Sequence, residues 1–165
     1  MHQYLNDGDE QAIENSQTFQ DLLAIALRIL ERMPRPLVQV SGPITTGGTG
    51  SEEANSLRIH ETRKALQDSG HHVFDYMIFQ ESLMRLRDAC CTERYCMELM
   101  EIFFRGIFES GHISKVFFLP DWESSIGARW ERQVVSEQGL EIIDIPSEGI
   151  AEDAEREVVK ILESK

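Results

Sequence analysis

Leu37-Val38-Gln39-Val40-Ser41 runs straight into Gly42-Pro43-Ile44-Thr45-Thr46-Gly47-Gly48-Thr49-Gly50, and the reading of this join decides the fold. The first five residues are a short β-branched run, which is a strand signal. The next nine have the richest turn composition in the chain. Ser51 then sits where an N-cap belongs, with Glu52 and Glu53 in a first helical turn whose dipole favours acids. Leu57, Thr62, Ala65 and Leu66 carry that helix to Gly70, a natural stop. Strand, loop and helix in this order open a βαβ unit.

Working outward, His72-Val73-Phe74 reads as a second strand, and residues 79–110 as two helices broken near Cys91-Thr92. Lys115-Val116-Phe117-Phe118-Leu119 has the composition of a buried strand. Pro120-Asp121-Trp122-Glu123-Ser124-Ser125 makes a loop, and Ser125 caps a helix to Gln138, before Gly139. Leu140–Ile145 is the last clear strand, and Ala151–Leu162 an amphipathic closing helix. The alternation predicts an α/β fold: a three-layer, flavodoxin/Rossmann-like parallel sheet of four to five strands with helices on both faces. With strand order 2-1-3-4, the order reverses between the strands ending at Ser41 and Leu119. Ligands of such sheets bind outside the carboxyl ends of the strands at that reversal. The loops richest in Gly, Ser, Thr and Asp follow those two strands, so a pocket is expected between residues 42–49 and 121–131.

Ahead of the sheet, residues 1–15 are polar and expected to fray. Phe19, Leu22, Leu23, Ala26, Leu27 and Leu30 follow helical spacing, and this helix stops before Met33-Pro34-Arg35-Pro36. Residues 1–36 are therefore read as an N-terminal extension with one amphipathic helix, and 37–165 as the domain. Between Met97 and Phe108 there are more apolar positions than one helix face holds, which predicts a homodimer or larger assembly.

The formal charge of −13 excludes a general surface for nucleic-acid polymers, whose phosphates need clustered Lys and Arg. It also argues against docking on anionic lipid. No apolar run approaches the ~20 residues of a membrane span, and the N-terminus has no signal-peptide pattern. A small anionic ligand still fits, held by a helix N-terminus and hydroxyls. Cys90, Cys91 and Cys96 are read as reduced thiols of a cytoplasmic protein; the adjacent pair lacks zinc spacing, and neither metal nor cofactor is expected.

In the glycine loop, Gly42 permits close backbone approach, and Thr45, Thr46 and Thr49 offer hydroxyls. No Lys follows the glycines as in a Walker motif, and Glu53 occupies the place of the third glycine of a dinucleotide motif. The loop alone reads equally as a plain connection. Ser125-Ile126-Gly127-Ala128-Arg129-Trp130-Glu131 is richer. A cap at Ser125 aims the N–H groups of Gly127 and Ala128 at the sheet edge, and Glu131 reaches the same cleft from the second turn. Against this stand a solvated glutamate and, for Trp122, a core or lid aromatic in place of a base-stacking platform.

The stretch from Phe118 to Glu131 resembles the signature of nucleoside 2-deoxyribosyltransferase-like proteins, a superfamily of transferases, 2′-deoxynucleoside 5′-monophosphate N-glycosidases and uncharacterised relatives. Val40-Ser41-Gly42-Pro43-Ile44 is similar to its first strand and loop, and Gly70-His71-His72-Val73-Phe74 to its second strand. The resemblance implies that Glu131 attacks C1′ of the sugar and displaces the base, as in retaining glycoside hydrolysis. It implies substrate contacts from Gly42, Ile44, Thr45, Asp75, Asp121, Trp122, Ser125 and Gly127, with a nucleoside or nucleotide as the small-molecule partner. The position of Ser125 is Asp in transferases of free nucleosides and Ser in monophosphate hydrolases, since a carboxylate repels a 5′-phosphate. Relatives carry Asp at the start of the third strand and another about eight residues earlier. Ser114 and Gly106 stand there in this chain, leaving Asp75 or Asp121 as substitutes.

Three functions follow. The first is an N-glycosidase or N-(deoxy)ribosyltransferase, and the second a non-catalytic nucleotide-binding module of the same fold. The third rests on Gly47-Gly48-Thr49-Gly50-Ser51, which resembles the motif of lysine-decarboxylase-like phosphoribohydrolases but is followed by Ala54 where that motif has Glu.

Overall fold

A computed structural model describes residues 4–91 and 96–146. In chain order its elements are α1 (Asp7–Glu14), α2 (Phe19–Arg32), β1 (Leu37–Ser41), α3 (Glu52–Asp68), β2 (His72–Val73), α4 (Gln80–Cys90), α5 (Met97–Leu99), α6 (Arg105–Glu109), β3 (Ile113–Phe118), α7 (Ile126–Glu137) and β4 (Glu141–Asp144). A 3-10 turn, Tyr76–Phe79, leads into α4, and a π-helical stretch, Met100–Phe104, joins α5 to α6. The expected closing helix Ala151–Leu162 lies outside the described residues. The chain divides into two compact units, Met1–Arg35 with Phe74–His112, and Pro36–Val73 with Ile113–Lys165.

The second unit holds the sheet. It is all parallel, in the expected order β2-β1-β3-β4. Paired residues of a parallel sheet share a face. Val38, Val40, Val73, Phe117 and Ile143 therefore look one way, packing with Ile59 and Leu66 of α3. Gln39, Ser41, Phe118 and Asp144 look the other way, towards α7, where Glu131 meets Ser41 and Arg132 meets Asp144 at 2.9 Å. Helices thus cover both faces, and every residue of β1 is buried, as a strand sandwiched on two sides requires. The α/β reading holds.

Local details depart from the sequence reading. The buried residues of α3 are Asn55, Ile59, Arg63, Ala65 and Leu66, whereas Leu57 is 55% exposed. Its apolar side chain lies about two residues, or 200°, from Asn55 and Ile59 on the helix wheel. Strand β2 stops at Val73, before Phe74.

In the first unit, residues 7–14 do not fray but form α1. Asn6 and Asp9 make a capping box, and the buried Asp9 carboxylate pairs with Arg32 of α2. Thr18 and Asp21 make a second box for α2, which buries Phe19, Leu22, Ile25, Ala26, Ile29 and Leu30. Of the apolar positions between Met97 and Phe108, Leu99, Met100, Phe103, Phe104, Ile107 and Phe108 are buried, whereas Met97 is exposed. Phe103 stacks near Phe79 at 5.3 Å, Phe104 against Tyr76 at 5.3 Å, and a Cβ on Gly106 would meet Leu23 at 2.4 Å. The cysteines are not all reduced: Cys91 and Cys96 form a disulfide, their Cα atoms 5.8 Å apart and so within bridging reach. Cys90 remains a free, exposed thiol.

Candidate functional site at the sheet switch point

Where β1 and β3 end side by side, Ser41 pairs with Phe118, and the chain leaves the sheet in two directions. Gly42 begins one departure. A Cβ there would sit 2.8 Å from that of Leu119, so close strand packing demands this glycine. Ile44 packs on the apolar core, and Thr45 is exposed.

Asn55, 2% exposed, fixes the glycine loop with all of its amide capacity. Its oxygen accepts from the Thr49 N–H and hydroxyl, both at 2.9 Å, and its nitrogen donates to the carbonyls of Ile44 (3.1 Å) and Gly47 (3.0 Å). Gly47 and Gly48 have φ of 74° and 64°, and a Cβ on Gly47 would collide with the Ser124 backbone at 2.5 Å. The loop is therefore stapled rather than a plain flexible connection.

The two loops paired by the sequence do meet. Gly48 N–H donates to the Ser124 hydroxyl at 2.7 Å, and Ile126 N–H to the Thr46 hydroxyl at 3.3 Å. The Thr46 and Ser125 hydroxyls are 3.4 Å apart. Ser125 caps α7 as expected, accepting from Ala128 N–H at 3.3 Å. That cap changes the donor inventory. Ala128 N–H is engaged by the chain itself and only Gly127 N–H, of the pair expected to be free, is left for a ligand.

Asp121 has a left-handed φ of 64°, a conformation more tolerable for Asp than for most residues. Its carboxylate lies 3.8 Å from Arg58, at the exposed rim of this segment. Trp122 is half-buried; its ring is 6.0 Å from Phe118 and carries the Arg132 guanidinium 4.2 Å above one face. Asp75 belongs to the first unit, where its carboxylate accepts from Met77 N–H at 3.0 Å.

Glu131 is the centre of the arrangement. It is 6% exposed and accepts a hydrogen bond from the Ser41 hydroxyl, joining the second turn of α7 to the end of β1. Burial raises its pKa from 4.5 to about 7, a shift that the Ser41 bond partly opposes. A carboxyl balanced between its two forms at neutral pH can act as nucleophile when ionised or as proton donor when not. Gln39, two residues before Ser41 on the same strand face, is fully buried with both amide atoms unpartnered.

Ser114 and Gly106, the positions where an Asp was expected, each have close local contacts. Ser114 stands at the opposite, amino-terminal edge of the sheet, where β1 and β3 shift register and its hydroxyl donates to the Leu37 carbonyl at 2.9 Å. A Cβ at Gly106 would come within 2.4 Å of Leu23 Cδ2, so the Leu23 side chain would have to shift. The sequence reading missed Ser41, Ser124 and Asn55 as partners, whereas the Thr46 hydroxyl was among those it offered. A short polar residue at the end of β1 and an Asn in the first turns of α3 were the available signals.

The first unit holds its own cavity, about 520 Å³, lined by Ile13, Ile78, Ser82 and Arg85, with Glu10 and Glu81 among its acids. Arg85 donates to the carbonyls of Glu14 (3.1 Å) and Ser16 (2.7 Å), so its charge is already engaged. Among the described residues no helix is long and apolar enough to cross a membrane.

A family model described as a domain of unknown function, DUF4406, matches residues 36–144. No curated protein and no solved structure matches the chain.

Proposed function

The chain belongs to the DUF4406 family, and from that footing we propose that it cleaves the base–sugar bond of a nucleoside 5′-monophosphate or nucleoside. The resemblance to nucleoside 2-deoxyribosyltransferase-like proteins supplies the reaction class. The observation that carries it is the buried Glu131 carboxyl, hydrogen-bonded to Ser41 where β1 and β3 part.

Glu131, ionised, attacks C1′ with one carboxylate oxygen while Ser41 holds the other. The C1′–N bond breaks, the base leaves with its electron pair and takes up a proton from solvent water, and a glycosyl ester of Glu131 forms. Water, or a second base, then opens that ester and returns the carboxylate. Gly127 N–H and the hydroxyls of Ser125 and Thr46 surround the positive end of the α7 dipole, which suits a 5′-phosphate. Asp121 at the rim and the half-buried Trp122 ring are the groups proposed to meet the base.

The test is incubation with a panel of nucleosides and 5′-monophosphates, with released base measured by chromatography. Base release by the native protein, lost in Glu131→Gln, is expected. A tightly bound nucleotide that is never cleaved supports the second reading, a non-catalytic binding module. Gly106 and Ser114, standing where an Asp was expected, favour that reading.

A further inference from the structure

We propose that Cys90, Cys91 and Cys96, once reduced, form a binding site for one monovalent copper ion. The three sulfurs lie within 4.8 Å of one another, and Cys90 Sγ is 3.5 Å from Cys91 Sγ. Two helix ends bring them together. Cys90 is the last residue of α4, Cys91 its C-cap and Cys96 the N-cap of α5. Three sulfurs bound at ~2.3 Å around one ion stand ~4 Å apart; Cys90 and Cys91 are already near that spacing, and opening the Cys91–Cys96 disulfide lets the bonded pair part to it.

The donor set chooses the metal. Among the described residues the group contains sulfur alone, with no imidazole or carboxylate joining it. Thiolates select soft ions, monovalent copper and zinc before the others. Structural zinc takes four protein ligands, whereas three thiolates complete the trigonal shell that monovalent copper accepts. The burial gradient gives the ion a route: Cys90 is exposed, Cys91 half-buried and Cys96 buried.

The Cys91–Cys96 disulfide and the metal site use the same sulfurs and exclude each other. A dithiol reductant opens the disulfide by transferring two electrons and two protons and becomes a cyclic disulfide itself. Copper then binds without changing its oxidation state, and the three thiols release their protons to solvent as they coordinate.

The experiment titrates the reduced full-length chain anaerobically with monovalent copper against a copper-specific chelator, counting free thiols in parallel. One equivalent of copper should be taken up, with all three thiols shielded from thiol reagents. Cys90→Ser leaves the Cys91–Cys96 bridge able to form, yet should compete roughly tenfold or more less well. The same bridge, formed by oxidation before titration, should abolish uptake. No uptake by the reduced chain, equal competition by Cys90→Ser, or equal uptake by the oxidised chain would each overturn the proposal.

Discussion

Glu131 holds its proton far above the range of a solvated glutamate, and this has a sign that stability measurements read directly. Below pH 4.5 the carboxyl is neutral in folded and unfolded chains alike, and burying it costs little. Between 4.5 and about 7 the unfolded chain releases a proton that the folded chain keeps, so stability falls as pH rises through that window. The loss totals about 3 kcal/mol, at ~1.4 kcal/mol per pH unit. Glu131→Gln removes the titration, so its melting temperature should match the native protein's at pH 4 and exceed it at pH 8. Parallel melting curves across that range would remove the buried-carboxyl account. The same ionisation sets the rate of the proposed reaction, which should climb through about pH 7 and level off above it. Gln39 offers a second test on the same strand. Gln39→Met keeps the volume and removes two unpartnered polar atoms, so chemical denaturation should show a gain of about 1 kcal/mol. The place of Glu131 in the second turn of α7 was legible in the sequence, because its spacing from Ser125 lies within one helix. Its bond to Ser41 was not, because it joins residues 90 positions apart that only the packed layers bring together.

The start of α7 and the glycine loop behave as one element, since each supplies the other's hydrogen-bond partners. Ser125→Ala deletes the cap of α7 and should cost about 1 kcal/mol in denaturation. Ser125→Asp keeps a capping oxygen, so the fold should survive with much smaller loss. Under the proposed function it also sets a carboxylate beside the phosphate. Native protein should prefer a 5′-monophosphate to its nucleoside by roughly tenfold, from ~1.5–3 kcal/mol per charge-assisted hydrogen bond less desolvation. Calorimetry on Ser125→Asp should find that preference gone. Asn55→Ala, by contrast, frees four hydrogen-bonding partners of one buried amide, and a loss of about 2–4 kcal/mol is expected in the same denaturation assay. The cap at Ser125 could be read from sequence, because capping chemistry is local. The closure of the loop could not: Gly48 meets Ser124 and Ile126 meets Thr46 across separate chain excursions. The same is true of α1, whose polar sequence hid the pairing of Asp9 with Arg32.

At the scale of the whole molecule, strand order was legible because alternating strands and helices with right-handed crossovers leave few arrangements. The division into two interleaved units was not, since Phe74–His112 gathers with Met1–Arg35 through contacts with no trace in local periodicity. Net charge is the other whole-molecule property, and it makes the last prediction. A chain of charge −13 repels a phosphate dianion at long range, while hydroxyls, an N–H group and a helix end attract it at short range. The two terms respond differently to salt. The Debye length shrinks from ~30 Å at 0.01 M to ~8 Å at physiological ionic strength, so screening removes the repulsion before it touches contacts at ~3 Å. Affinity for a 5′-monophosphate should therefore rise, by a few-fold, between 10 mM and 150 mM monovalent salt. The uncharged nucleoside supplies the control, and its affinity should stay flat over that range. A basic phosphate-binding surface would show the opposite trend, with affinity falling steeply as counterion release loses its advantage. Calorimetric titrations of both ligands at the two ionic strengths decide the matter, and monophosphate binding that weakens with salt would place the anion on a basic patch elsewhere rather than at the start of α7.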